Sequence, residues 1–215
     1  MQIKGAIFDL DGTLLDSMDV WERIDIRFLA KRGLSVPEDY IAAVTPLGFQ
    51  DAAVYTIDRF HLDETPQELI KEWSDMAAFA YGNTVPLKPH AKAYLSFLKQ
   101  KGVRLAVATA LSAELYVPAL QNNGIYDWFD AFTTLSECGG RKGEPKIYLT
   151  AAKKLGLNPS DCAVFEDILE GIEGAKKGGF VTIGVADFYS LSDKGRIAAL
   201  ADRYIDDFSD LLEQP

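Results

Sequence analysis

The sequence predicts an α/β fold: a parallel sheet with helices on both faces, carrying an inserted domain made only of helices. Three observations lead there. Ile3 to Leu10 is a short apolar run that stops at acidic residues and Gly12, as a buried strand stops at a turn. From Ser17 to about Val85, apolar residues recur at helical spacing, and no run of β-branched residues interrupts them. After Pro86 and Pro89, apolar strands alternate with helices that close on glycine, the texture of βα units around a parallel sheet.

The elements follow in order. Trp21, Ile24, Phe28 and Leu29 lie on one helical face, and Gly33 after Lys31-Arg32 marks that helix's end. Further helices are predicted over about 37–44, 49–60 and 66–81, the last with Leu69, Ile70 and Trp73 set among Glu68, Lys71 and Glu72. Trp21, Phe28 and Trp73 read as the core of this block. Beyond it, helices over 91–101, 113–123, 145–155 and 169–177 alternate with strands over 103–109, 131–133, 162–165 and 180–185, and 203–205 reads as a last strand. The expected division is a Rossmann-like core of residues 1–15 and 87–215, with residues 16–86 as the helical insertion.

Composition narrows the function. The chain has 215 residues, 48% hydrophobic and 25% charged, an ordinary globular balance. With 22 basic and 32 acidic residues its net charge is −10, which argues against nucleic acid or an anionic membrane as partner. An anionic substrate would then need a local device, a metal ion or a lysine, to overcome the overall field. The 2 cysteines, Cys138 and Cys162, are too few for a disulfide framework, and the 2 histidines, His61 and His90, stand apart. No stretch approaches the ~20 apolar residues of a membrane span, and the N-terminus has no signal-peptide pattern. A cytoplasmic monomer acting on a small molecule is the expectation.

In an open parallel sheet, ligands sit outside the carboxyl ends of the strands. Asp9 and Asp11 stand at the end of the first strand and Thr109 at the end of the second. Lys142 lies in the loop after the third, and Glu166-Asp167 close the fourth. Carboxylates gathered this way repel one another unless a cation intervenes, and hard oxygen ligands suit Mg²⁺. A metal-bridged carboxylate beside a lysine and a hydroxyl can hold a phosphoryl group for transfer.

The run Asp9-Leu10-Asp11-Gly12-Thr13-Leu14-Leu15-Asp16-Ser17 resembles the first motif of the haloacid dehalogenase-like superfamily, in the form its phosphatases and phosphomutases carry. Val107-Ala108-Thr109-Ala110 is similar to the second motif and Lys142-Gly143-Glu144-Pro145-Lys146-Ile147-Tyr148 to the third. Phe165-Glu166-Asp167, with Gly171-Ile172 and Ala175-Lys176, is similar to the fourth. The resemblance implies that Asp9 is the nucleophile that forms an aspartyl-phosphate and Asp11 the general acid and base. It implies that Thr109, Ala110, Lys142 and backbone N–H groups after Asp9 hold the phosphoryl oxygens. Asp9, the backbone carbonyl of Asp11, and Asp167 would bind Mg²⁺, with Glu166 a ligand or a partner to one. The helical block corresponds to the family's small cap, which sets substrate specificity.

Two positions depart from the pattern. Lys146 stands where an aspartate is usual, which leaves open whether Lys142 or Lys146 serves the phosphate, and Ile168 stands where a serine is common. The acid at position 11 speaks against dehalogenase and phosphonatase chemistry. The β-phosphoglucomutase branch is close in layout, but Trp21 and Phe49 stand where it carries a histidine and a phosphate-clamping arginine, and an aromatic ring cannot replace a guanidinium fork. The reading is a Mg²⁺-dependent phosphatase for a small organic phosphate monoester, with Trp21 and Phe49 facing substrate. The alternatives are a phosphomutase and a catalytically idle binding module.

Overall fold

In the computed structural model, residues 3–44 and 47–212 are described. They form two compact units: Met1–Met18 with Val85–Pro215, and Asp19–Thr84. The larger unit is built on β1 (Gly5–Phe8), β2 (Arg104–Thr109), β3 (Ala131–Thr134), β4 (Cys162–Glu166), β5 (Val181–Val185) and β6 (Arg203–Ile205). Their order is β3-β2-β1-β4-β5-β6, every pairing parallel. The chain adds β2 and β3 on one side of β1, then crosses to lay β4, β5 and β6 on the other. β1 and β4 therefore flank the topological switch point, where such sheets bind their ligands.

Register fixes what arrives there. Phe8 pairs with Val107 on one side and Phe165 on the other, so Asp9, Thr109 and Glu166-Asp167 emerge at one edge. One sheet face is closed by α8 (Lys146–Leu155) and α9 (Leu169–Lys177), whose Ile147, Tyr148, Ala151, Ala152 and Ala175 pack against Ile7, Ala106, Ala108 and Val164. Aromatic rings dominate the other face: Phe8 stacks on Phe165 at 4.3 Å, and Tyr94 of α5 (Ala91–Gln100) lies 5.7 Å from Phe165.

The smaller unit holds α1 (Val20–Ala30), α2 (Tyr40–Val44), α3 (Phe49–Phe60) and α4 (Pro66–Asn83). α4 starts as its sequence dictates: Thr65 and Glu68 form a reciprocal capping box, with Pro66 at the first helical position. Phe28 and Trp73 are buried and pack edge to face, as core residues should. Trp21 differs. It is 37% exposed, with its ring edge to face on Phe49, itself 48% exposed, at 5.3 Å. Residues 16–18 and 85–86 belong to the larger unit, since Asp16 N–H donates to the Pro86 carbonyl and the Ser17 hydroxyl to Asp11. α6 (Ala113–Asn122) falls where the sequence places it, whereas two short helices went unpredicted among the described residues, α7 (Leu135–Cys138) after β3 and α10 (Lys194–Leu200), along with several 3₁₀ turns.

Candidate active site

The site grows from the turn after β1. The Leu10 carbonyl accepts from the N–H groups of Thr13, Leu14 and Leu15, which coils the chain tightly and carries Asp11 to its outer side. The N–H groups of Gly12 and Thr13 are used inside this turn, on Leu15 and Leu10. Asp9 stays almost fully buried, while Asp11 is half-buried and its carboxylate accepts the Ser17 hydroxyl at 2.6 Å. Ser17 closes the first motif, yet nothing in its spacing announced that contact.

Three carboxylates converge. Asp9, Glu166 and Asp167 are all buried, and each offers an oxygen within 4.8 Å of the others. Asp167 is oriented by the buried Thr13 hydroxyl at 3.0 Å. Asp11 enters the expected ligand set through its backbone carbonyl, and its carboxylate is outside this cluster. Burial, then the charge of Asp9, pushes the Asp167 carboxyl up. Burial does the same to Glu166, opposed by Lys142.

Lys142 is the lysine that the fold delivers. Its ammonium lies 2.7 Å from Asp9 Oδ1 and 3.0 Å from Glu166 Oε1. Burial alone would lower its pKa, but Asp9, Glu166 and Asp167 together hold it well above the usual lysine range, so it stays charged. Lys146 is exposed on the first turn of α8. The loop bearing Lys142 rests on α9: a Cβ at Gly174 would collide with the Lys142 carbonyl oxygen, and Lys177 Nζ donates to the Gly143 carbonyl at 2.9 Å.

Three formal negative charges face one positive, a deficit that a divalent cation would cancel. One atom marks where a cation fits: Asp9 Oδ2 is buried with no hydrogen-bond partner among the described residues, while Oδ1 is held by Lys142. The cluster can therefore hold a metal. Thr109 is buried at the end of β2 and its hydroxyl oxygen accepts the Leu111 N–H at 3.1 Å, leaving the hydroxyl hydrogen to donate outward. Ala110 follows at an exposed bend.

A carboxylate nucleophile candidate, a locked lysine and a strand-end hydroxyl at the switch point of a parallel sheet define an enzyme for group transfer from anionic substrates. Comparison with known proteins narrows the class. The model for haloacid dehalogenase-like hydrolases matches residues 3–179. The chain is 30% identical over 187 residues to hexitol phosphatase A of Escherichia coli (strain K12), covering 86% of this chain and 84% of that one. It is 28% identical over 180 residues to hexitol phosphatase B of the same strain, covering 81% and 80%. A candidate beta-phosphoglucomutase from Thermotoga maritima shares the fold with a TM-score of 0.87, at 23% identity and 99% coverage of both chains. The chain belongs to the haloacid dehalogenase-like hydrolase family, on its phosphatase side.

Proposed function

We propose that the protein is a Mg²⁺-dependent phosphatase that hydrolyses a small organic phosphate monoester, a sugar phosphate or similar cytoplasmic metabolite, through an aspartyl-phosphate on Asp9. The observation that carries this reading is the setting of Asp9: one oxygen pinned by Lys142, the other buried and without a hydrogen-bond partner among the described residues. A structural aspartate would have both oxygens satisfied.

Asp9, Asp167 and the Asp11 carbonyl would hold Mg²⁺, with Glu166 beside it, and the ion would neutralise charge on the phosphoryl oxygens. The chain's own residues do the rest. An Asp9 carboxylate oxygen attacks phosphorus in line while the ester P–O bond breaks, and Asp11 gives its proton to the leaving alkoxide. Lys142 and the Thr109 hydroxyl, with Ala110 N–H, take the charge on the transferring group. Asp11 then removes a proton from water, whose oxygen attacks phosphorus and releases inorganic phosphate and free Asp9. Ser17 keeps the Asp11 carboxyl aimed for both proton transfers. All these residues come from one chain, so a monomer suffices.

The helical unit, residues 16–86 by sequence, is proposed as the cap that selects substrate, with the Trp21–Phe49 pair offering apolar ring faces to carbon. Neither ring can hold a second phosphate, which favours release to water over a phosphomutase cycle. The two hexitol phosphatases among its relatives support a phosphorylated sugar or polyol as substrate. Phosphate release from sugar phosphates, phosphoglycolate and nucleoside monophosphates tests the reading. Release should require both Mg²⁺ and Asp9, vanishing with chelator and in Asp9→Asn. Silence across the panel from folded wild type would refute it.

A further inference from the structure

We propose that Tyr148 is a positioning residue: its buried hydroxyl fixes the Glu166 carboxylate, and Glu166 with Asp9 then pins the Lys142 ammonium where the phosphoryl group binds. This rests on the phosphatase reading above.

The geometry is direct. Tyr148 Oη donates to Glu166 Oε1 at 2.7 Å, a contact buried on all sides. Lys142 Nζ lies 3.0 Å from the same oxygen and 3.2 Å from Oε2. Both Glu166 oxygens are thus turned to Lys142, and the tyrosine sets the plane in which they lie. Burial, reinforced by the Glu166 charge, holds the phenol well above its ordinary pKa, so it remains a donor.

The rest of Tyr148 does not need a hydroxyl. Its ring is fully buried and packs edge to face on Phe180 at 6.3 Å, a place phenylalanine would fill equally well. A buried phenol oxygen is a cost unless bonded, and its partner here is the residue that holds the lysine. Gly171 completes the arrangement: a Cβ there would overlap the Glu166 carboxylate, so α9 leaves a slot that this side chain fills. Lys142 needs such a clamp. Its ammonium is a compact charge on a flexible stem, and a single carboxylate would leave it to swing.

Tyr148→Phe removes one oxygen and keeps the ring. Calorimetry would measure the Kd of inorganic phosphate at saturating Mg²⁺ and the Kd of Mg²⁺ alone, alongside Tm, kcat and KM. A lost hydrogen bond to a charged group predicts a phosphate Kd raised about tenfold and kcat lowered about tenfold. The Mg²⁺ Kd should stay within about twofold, which a general loosening of the site would not permit. In the Glu166→Gln background the same change should alter phosphate binding by less than about twofold, because Tyr148 acts through Glu166. An unchanged phosphate Kd, an additive double variant, or a Mg²⁺ Kd that rises in place of the phosphate Kd overturns the proposal. Phosphate binding needs no turnover, so a silent substrate panel with the expected phosphate pattern would sink the phosphatase reading and leave this clamp standing.

Discussion

Lys142→Met keeps most of the buried stem and deletes its charge. The wild-type cluster has Asp9, Glu166 and Asp167 against one cation, and the variant leaves all three uncompensated. A unit pair about 4 Å apart is worth about 4 kcal/mol at an effective dielectric near 20, and Lys142 faces two such partners. Against that stands the desolvation of the ammonium itself, so the net loss is the cost of orphaning buried charge, about 3–5 kcal/mol. For a chain of this size each kcal/mol moves Tm by roughly 2–4 °C, which predicts a melt about 6–20 °C lower in chelator at neutral pH. Two controls sharpen the test. The Glu166 and Asp167 carboxyls already have raised pKa values in the fold, opposed by Lys142. Groups raised in this way stabilise the fold at low pH and lose that contribution as pH rises. The variant's deficit should therefore shrink as pH falls toward the ordinary carboxylate range. Added Mg²⁺ should also stabilise the variant more than the wild type. With Mg²⁺ and saturating substrate, kcat should fall by about 10²–10³. A melt in chelator within about 2 °C of wild type, unmoved by pH, would refute the charge-compensation argument.

Two further outcomes are expected. Gly174→Ala should force the Lys142 loop off α9, lowering stability by about 1–3 kcal/mol and reducing kcat more than it raises KM, read by thermal unfolding and steady-state kinetics. In α1, burial and then the neighbouring Glu22 push the half-buried Asp25 carboxyl up to about 6. A carboxyl raised this way favours the fold below its unfolded pKa and loses that contribution as pH climbs through 6. Asp25→Asn should therefore match wild type near pH 4 and exceed its stability above pH 6, by about 1 kcal/mol once partial solvent access is allowed for. Denaturant midpoints across that range check it, and a difference independent of pH would contradict the cause assigned.

Much of this was legible along the chain because it rests on local rules. Strand and helix alternate with their own periods, helices such as α8 close on a left-handed glycine, here Gly156, and parallel strands deliver polar residues at their carboxyl ends. Those rules are enough to bring Asp9, Thr109, Glu166 and Asp167 to one edge. The pairing of Ser17 with Asp11 and of Tyr148 with Glu166 was not legible, because each depends on where a rotamer ends in space and no spacing encodes that. Gly171 and Gly174 illustrate the limit. Gly171 makes room for a carboxylate and Gly174 for the backbone of the Lys142 loop, needs that no spacing along the chain records.

The sequence by itself determined the α/β class, the helical insertion and the order of the four motifs, since periodicity, glycine stops and strand ends act over a few residues. Only the tertiary structure decided which lysine meets Asp9 and which Asp9 oxygen is left without a partner. It also decided that Glu166 faces the lysine. Those choices follow from the crossing of α8 and α9 over β1 and β4, where burial makes each charge depend on the partner that packing brings to it.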